Sequence, residues 1–199
     1  MKLILITFLS TLSLTVYSKK VEGYIIKNDS SRVEVTLKIP FYSFTDIVKF
    51  LHLQKKTFQF TNGKKVKLTP EDIIEFGFTF NNKEYKMLSV WKSFGKNLKF
   101  KIKEPKKKIF LYLVSDGSLK SFKYYFKGHL PTSDGSGLFE EPVLKLVNQL
   151  PIRPSINKFN QDMIKYLNCP AATELINKRS TLRDFIEDLI KVYNKECVH

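Results

Sequence analysis

The feature that most constrains this chain is an alternation of apolar and polar residues with period two, running from Val21 to Gly128. "RVEVTLKI" puts Val33, Val35, Leu37 and Ile39 on one side, and "TFQF" and "KVKL" continue the pattern. In "LKFKIK", Leu98, Phe100 and Ile102 alternate with Lys99, Lys101 and Lys103. Successive side chains of a strand point to opposite faces, so strict alternation predicts half-buried antiparallel strands. Lysine is then the expected wet face of a folded sheet.

Turn chemistry separates the runs. Asn62-Gly63 lies between "FQF" and "VKL", Asn81-Asn82 between "FGFTF" and "EYKML", and Asp116-Gly117 between "IFLYLV" and "LKSFKYYF". Asn, Asp and Gly tolerate the positive φ values that two-residue hairpins demand. Three such turns predict a meander rather than βαβ units. "IFLYLV", residues 109–114, is a continuous apolar run and suits a strand covered on both faces. "LTPEDI" reads as one helical turn, with Thr69 as cap and Pro70 at the first position. Residues 40–56 fit either a strand or a short helix capped by Thr45, with Phe44, Ile47, Val48 and Leu51 on one side.

Residues 128–142, "GHLPTSDGSGLFEEP", break the pattern with glycine and proline. They predict a loop over 129–142. Beyond it the period becomes 3.6, although "EPVLKLVNQL" suits a short helix or a strand. Asn160 is placed to cap a helix, with Phe159 packing back on Ile164. Pro170 can open a second helix. Thr181 with Asp184 resembles a capping box before the best amphipathic run, Leu182, Phe185, Ile186, Leu189, Ile190 and Tyr193. The expected fold class is α+β: an antiparallel β-meander or sheet over 19–128, and a small C-terminal helical cap over 143–199 packed on it. With 43% hydrophobic residues in 199, such a chain can bury one core.

The first residues, "MKLILITFLSTLSLTVYSKK", combine Lys2, an apolar stretch and a small residue at Ser18. This is the pattern of a secretory signal peptide over 1–18, too short for a comfortable membrane span. The expected localisation is exported: periplasmic, outer-surface associated or secreted, with no transmembrane span in the mature chain. Export changes how Cys169 and Cys197 are read. In an oxidising compartment two lone cysteines pair, and the alternative is two buried free thiols.

The formal net charge is +15. A basic chain invites a polyanion as partner. However, Arg32, Arg153, Arg179 and Arg183 are the only arginines, while lysine is abundant and spread along the chain. Bidentate phosphate and guanine recognition favours arginine, so nucleic acid is disfavoured.

Motifs that suggest chemistry fail on spacing. His52, His129 and His199 have no His or Cys partner at metal-ligand spacing. His52 reads as a structural residue in an apolar stretch, and His129 as the more exposed candidate in the loop. "SDGSG", with Asp134, Ser136, Glu140 and Glu141 nearby, lacks the P-loop lysine and the alternating acids of an EF-hand. Glu71-Asp72, Glu140-Glu141 and Glu187-Asp188 are sequence neighbours and read as solvated faces. Asn28-Asp29-Ser30 fits a glycosylation sequon. The residues therefore indicate no catalytic set, no metal set and no cofactor.

"EGYIIKNDSSRVEVTLKI", "LTPEDIIEFGF", "IFLYLVSDGSLKSFKYY" and "YLNCPAATELINK…IEDLIKVYNKEC" together resemble a family of exported Bacteroidota proteins, β-rich with Cys-bracketed C-terminal helices. The resemblance implies an exported β-rich fold and brings no activity, so no functional residue is carried over. Three readings of function follow. The first is an exported non-catalytic binding or structural module, whose partner is a cell-envelope component or a protein. The second is an enzyme with a spatially assembled site. The third is a polyanion or envelope-glycan binder using its lysine faces. A lysine field gathered beside aromatic rings separates the third from the first.

Overall fold

The computed structural model describes residues 17–42, 45–61, 63–94, 105, 107–129, 136–154, 159–178 and 182–197. The expected signal peptide, the alternating "LKFKIK" run, the Thr181–Asp184 capping box, most of "SDGSG" and His199 fall wholly or largely outside those residues.

Among the described residues the strands form one nine-stranded antiparallel sheet. They are β1 (Ser18–Lys27), β2 (Arg32–Pro40), β3 (Thr57–Thr61), β4 (Lys64–Leu68), β5 (Ile73–Phe80), β6 (Lys83–Trp91), β7 (Lys108–Ser115), β8 (Leu119–His129) and β9 (Ser136–Leu146). The order is β4-β3-β2-β1-β5-β6-β7-β8-β9. It is a meander except that the chain leaves β4, crosses to the other side of β1 and resumes at β5. Of the expected turns, Asp116-Gly117 joins β7 to β8 and Asn81-Asn82 joins β5 to β6, while Asn62 lies outside the described residues. Gly63 has φ 73°, and Asn81 and Asn82 have φ 51° and 58°. The last pair is the combination a type I′ hairpin needs.

Period two decides the core of β1 and β2. Ile25, Leu37 and Ile39 face inward with Phe76, Phe78, Met87 and Phe110. β7 is central as expected, between β6 and β8, with Ile109, Phe110 and Leu111 all buried. The opposite face of β5 carries Gly77 because Tyr24 lies flat over it: a Cβ there would sit 2.5 Å from the Tyr24 ring. Tyr24 donates to the buried Glu75 at 2.6 Å, and the Arg32 guanidinium stacks 3.6 Å above its ring.

Between β2 and β3 runs α1 (Phe50–Leu53). It touches both β2 and β8, which lie five positions apart in the sheet. A flat sheet would separate them by about 24 Å, so the sheet curls around α1. The buried Gln54 locks the contact. Its side-chain amide donates to Tyr125 O at 2.9 Å, its Oε1 accepts from Tyr125 N at 2.6 Å, and its backbone carbonyl accepts from Phe110 N at 3.0 Å. Phe50 stacks on Tyr112 and Tyr125, each at 4.9 Å. The Thr45 cap is corrected: the helix begins four residues later than a Thr45 cap requires, behind Lys49 without a side-chain cap. Thr45 instead closes a turn on Tyr42, and Ile47 is exposed.

The loop expected over 129–142 is also corrected. β9 pairs with β8 from His129↔Ser136 to Leu119↔Leu146, so residues 136–142 are strand. Pro142 is tolerated because β9 is an edge strand, and Phe126 stacks on Phe139 at 5.6 Å beside Gly128 and Gly137. The helical region accordingly starts later than 143. It holds α2 (Phe159–Leu167), α3 (Pro170–Lys178) and α4 (Leu182–Glu196). α2 starts at Phe159 itself, one residue before the expected cap.

The helices bury Phe159, Met163, Ala172, Ile176, Phe185 and Leu189 against Leu119, Leu144 and Leu146 of the sheet. Two polar clamps fix the docking. Asn194 accepts from Leu119 N at 2.7 Å and donates to Leu119 O at 3.1 Å. Tyr166 accepts from Leu146 N and donates to Leu150 O, both at 3.0 Å, with burial pushing its hydroxyl pKa up to about 12. Cys169 and Cys197 are disulfide-bonded, their Cα atoms 5.9 Å apart. The bridge joins the start of α3 to the end of α4.

Candidate functional site

The outer face at the β4 end of the sheet carries the most distinctive chemistry. Ser18 lies opposite Pro40, and Lys20 opposite Lys38. In the next strands Phe60 pairs with Lys65 and Phe58 with Lys67. Alternation puts all eight side chains on one face, behind the core residues Leu37 and Ile39. Like charges directly opposite one another destabilise a strand pair, so Lys20 and Lys38 stand against a local folding rule.

β3 is inverted relative to its sequence pattern. "TFQF" suggests phenyl rings inside, yet Thr57 is buried inside while Phe58 and Phe60 point out and stay only partly covered. The physical reason lies in the neighbours. β3 sits next to the edge, where only Thr57 and Leu68 still reach the core under α1. On the outer side the rings find lysine instead. The Lys65 ammonium lies 3.9 Å from the Phe58 ring centre and that of Lys56 at 5.4 Å. Lys20 lies 4.4 Å from the centre of Phe60. Each such contact contributes about 0.5–1 kcal/mol at an exposed site, enough to hold a mobile ammonium in place.

At the end of β2 these groups surround a groove of about 170 Å³, lined by Lys38, Lys56 and Lys65 with Phe58, and closed by Ser18, Pro40 and His52. Among the described residues no carboxylate lines it. None of Lys20, Lys38, Lys56 or Lys65 is in an ion pair among the described residues; those pairs lie elsewhere, for example Lys19–Asp46 at 2.8 Å and Arg32–Glu34 at 3.0 Å. His52, expected as a structural residue in an apolar stretch, is exposed at this groove. Partial burial, then Lys49, Lys55, Lys127 and Lys56, hold its pKa below the ordinary histidine value. The groove therefore presents ammonium groups, one imidazole that resists protonation and one hydroxyl.

The other expected candidates are dispersed. His129 lies at the end of β8, opposite Ser136, in strand rather than loop. Asp72 accepts from the Thr69 amide and hydroxyl, both at 2.7 Å, which keeps its carboxyl below the usual range. The Asp72 amide also donates to Thr69 O at 3.0 Å, so "LTPEDI" is the single turn expected, closed by backbone and side chain together. Glu140 and Glu141 point to opposite faces of β9, and pair with Lys123 at 3.0 Å and Arg153 at 2.8 Å. Asp188 pairs with Lys191 on the surface of α4. Asn28 donates to Glu71 O at 2.9 Å in the exposed β1–β2 turn. Among the described residues no three His, Cys, Asp or Glu side chains are placed to hold one metal ion. No described helix is long and apolar enough to cross a membrane.

Sequence reasoning did not find the groove. Its signal was present in "TFQF", whose rings share a face, but the register that sets them beside Lys38 and Lys65 is a property of the assembled sheet. No protein-family model, curated protein or solved structure matches the chain.

Proposed function

We propose that this protein is an exported, non-catalytic binding module that holds an anionic ligand against the lysine–phenyl face of its sheet. The observation that carries the reading is the groove of Lys38, Lys56 and Lys65, which among the described residues has no lining carboxylate to neutralise it. Evolved sequences break a local rule where function requires it, and the opposed pair Lys20–Lys38 is such a break. Export accords with the Cys169–Cys197 disulfide, since such bonds persist in oxidising compartments, and with the likeness to exported Bacteroidota proteins. Anionic envelope components are the natural partners in that setting.

Binding driven by lysine releases counterions, so affinity falls steeply with salt. Calorimetry with dextran sulfate at 50 and 200 mM NaCl tests this. The expected result is binding at low salt that weakens by about tenfold or more at the higher salt and is lost in Lys38→Glu/Lys65→Glu. Salt-independent binding, or an unaffected double variant that remains folded, overturns the reading.

A further inference from the structure

We propose that the groove is built for a phosphate monoester carried on a sugar, a ligand whose oxyanion sits among Lys38, Lys56 and Lys65. This rests on the anion-binding reading above and narrows it in two steps.

The first step concerns the anion. A carboxylate has one charge and two oxygens in a plane, fewer than three ammonium groups can satisfy. No arginine lines the groove among the described residues, where Arg32 is held by Glu34 and Tyr24 and Arg153 by Glu141, so recognition there is by point charge and not by a bidentate fork. A phosphate monoester carries a charge near −2 and three acceptor oxygens, and lysine binds phosphate as a point charge. Three ammonium groups around one cavity match three oxygens arranged about a tetrahedral centre. The room is about 170 Å³. It admits one such group and part of its carrier.

The second step concerns the carrier. Single-stranded nucleic acid binds on aromatic faces open to the bases. Here the ring of Phe58 already carries Lys65 at 3.9 Å and Lys56 at 5.4 Å, and the ring of Phe60 carries Lys20. The phenyl groups thus act as rests that hold ammonium groups ready, which lowers the ordering cost of binding. A base stacking on either ring has to compete with those ammonium groups. What remains is hydrogen-bonding: the exposed His52 imidazole and whichever ammonium hydrogens the oxyanion does not use, with Ser18 left out because it belongs to the expected signal peptide. Such groups suit the hydroxyls of a sugar better than a flat base or an acyl chain.

Calorimetric titration of the full chain at pH 7.5 in low salt compares four probes: glucose 6-phosphate, glucuronate, an eight-residue oligothymidylate and vesicles containing phosphatidic acid. Glucose 6-phosphate is expected to bind about tenfold more tightly than glucuronate, and Lys65→Gln to lose about tenfold. Lys65 lies on an exposed edge strand, so this variant keeps its fold. Phe58→Leu leaves the lysines but removes their rest, and is expected to weaken glucose 6-phosphate by a few-fold while circular dichroism is unchanged. Lys191→Gln on α4 is the neutral control. Equal binding of glucuronate overturns the phosphate assignment. Tighter binding of the oligonucleotide, or recruitment to vesicles that glucose 6-phosphate does not compete, overturns the sugar carrier. If dextran sulfate binds with steep salt dependence and glucose 6-phosphate does not compete with it, this inference falls and the general anion site stands. If neither ligand binds, both fall.

Discussion

The two ends of the sheet are built from the same kind of strand and finished in opposite ways. At the β8–β9 end, the inward residues Leu119, Leu144 and Leu146 continue under three helices, and polar clamps and a disulfide hold those helices down. At the β3–β4 end the core stops at Thr57 and Leu68. Val66, two pairs further along, is 40% exposed, and the phenyl rings of Phe58 and Phe60 turn outward to meet lysine. A strand's apolar residues face whichever side has something to cover them. At one end that cover is helix, and at the other it is the aliphatic and ammonium groups of neighbouring strands. Helix cover and the cross-link are concentrated at one end, and the proposed binding chemistry at the other.

The strongest way to break this contrast is to cut the staple. Closing a loop of about 29 residues, the Cys169–Cys197 bridge contributes up to about 3.6 kcal/mol in the chain-entropy account. Cys169→Ser/Cys197→Ser is expected to lose most of that in urea unfolding. Hydrogen exchange should accelerate in α3 and α4 first, with the β1–β2–β5 ladder little changed. Uniform loosening of the whole sheet would show that the ends are not energetically distinct.

A pair of truncations sharpens the comparison. Leu144→Ala removes a fully buried side chain beneath the helices and should cost about 2–5 kcal/mol. Phe58→Ala removes a larger side chain from the open face and should cost about 1 kcal/mol, the worth of its cation–π contacts and partial burial. Chemical denaturation of both variants checks the order. Equal costs would mean that Phe58 is core and the groove a packing accident.

Between these extremes lies Asn194. Its side chain satisfies both backbone groups of Leu119, and its loss leaves two polar groups without partners. Asn194→Ala should cost about 1–3 kcal/mol, with earlier exchange at the β8–α4 junction. A neutral substitution would show that apolar packing alone seats the helices.

Much of this was legible in the residues, and the boundary of legibility is physical. Turns were readable because positive φ is a local demand that Asn and Gly meet; Asn81 and Asn82 both take it up. The inward set Leu37 and Ile39 was readable because period two is local as well. The pairing of β1 with β5 was not, since it joins strands separated by three others in the chain. β9 was missed because Gly137 and Pro142 signal a loop, yet an edge strand tolerates both. The groove was missed for a related reason. Lysine looked like a dispersed wet face when counted along the chain. Only cross-strand register gathers Lys38 and Lys65 beside Phe58, and no turn rule reaches from β2 through α1 to β3. The disulfide was foreseen because compartment, not geometry, decides it.

The smallest expected effect tests the open end most directly. His52 has a folded-state pKa held below the ordinary value near 6.5, first by partial burial and then by the surrounding lysines. In the pH range just below 6.5 the unfolded chain therefore binds more protons than the folded one at this site, and the sign of the linkage follows. Its contribution favours folding at higher pH and is lost as pH falls below 6.5. A bound anion reverses the local field and draws the pKa of His52 back up. Affinity for dextran sulfate, whose own charge is constant in this range, should rise by a few-fold as pH falls through the depressed pKa of the free groove. The His52→Gln variant should show a flat profile. Following the imidazole proton by NMR with and without ligand gives the same answer independently. An unshifted titration would place the bound anion away from His52, and so away from the groove.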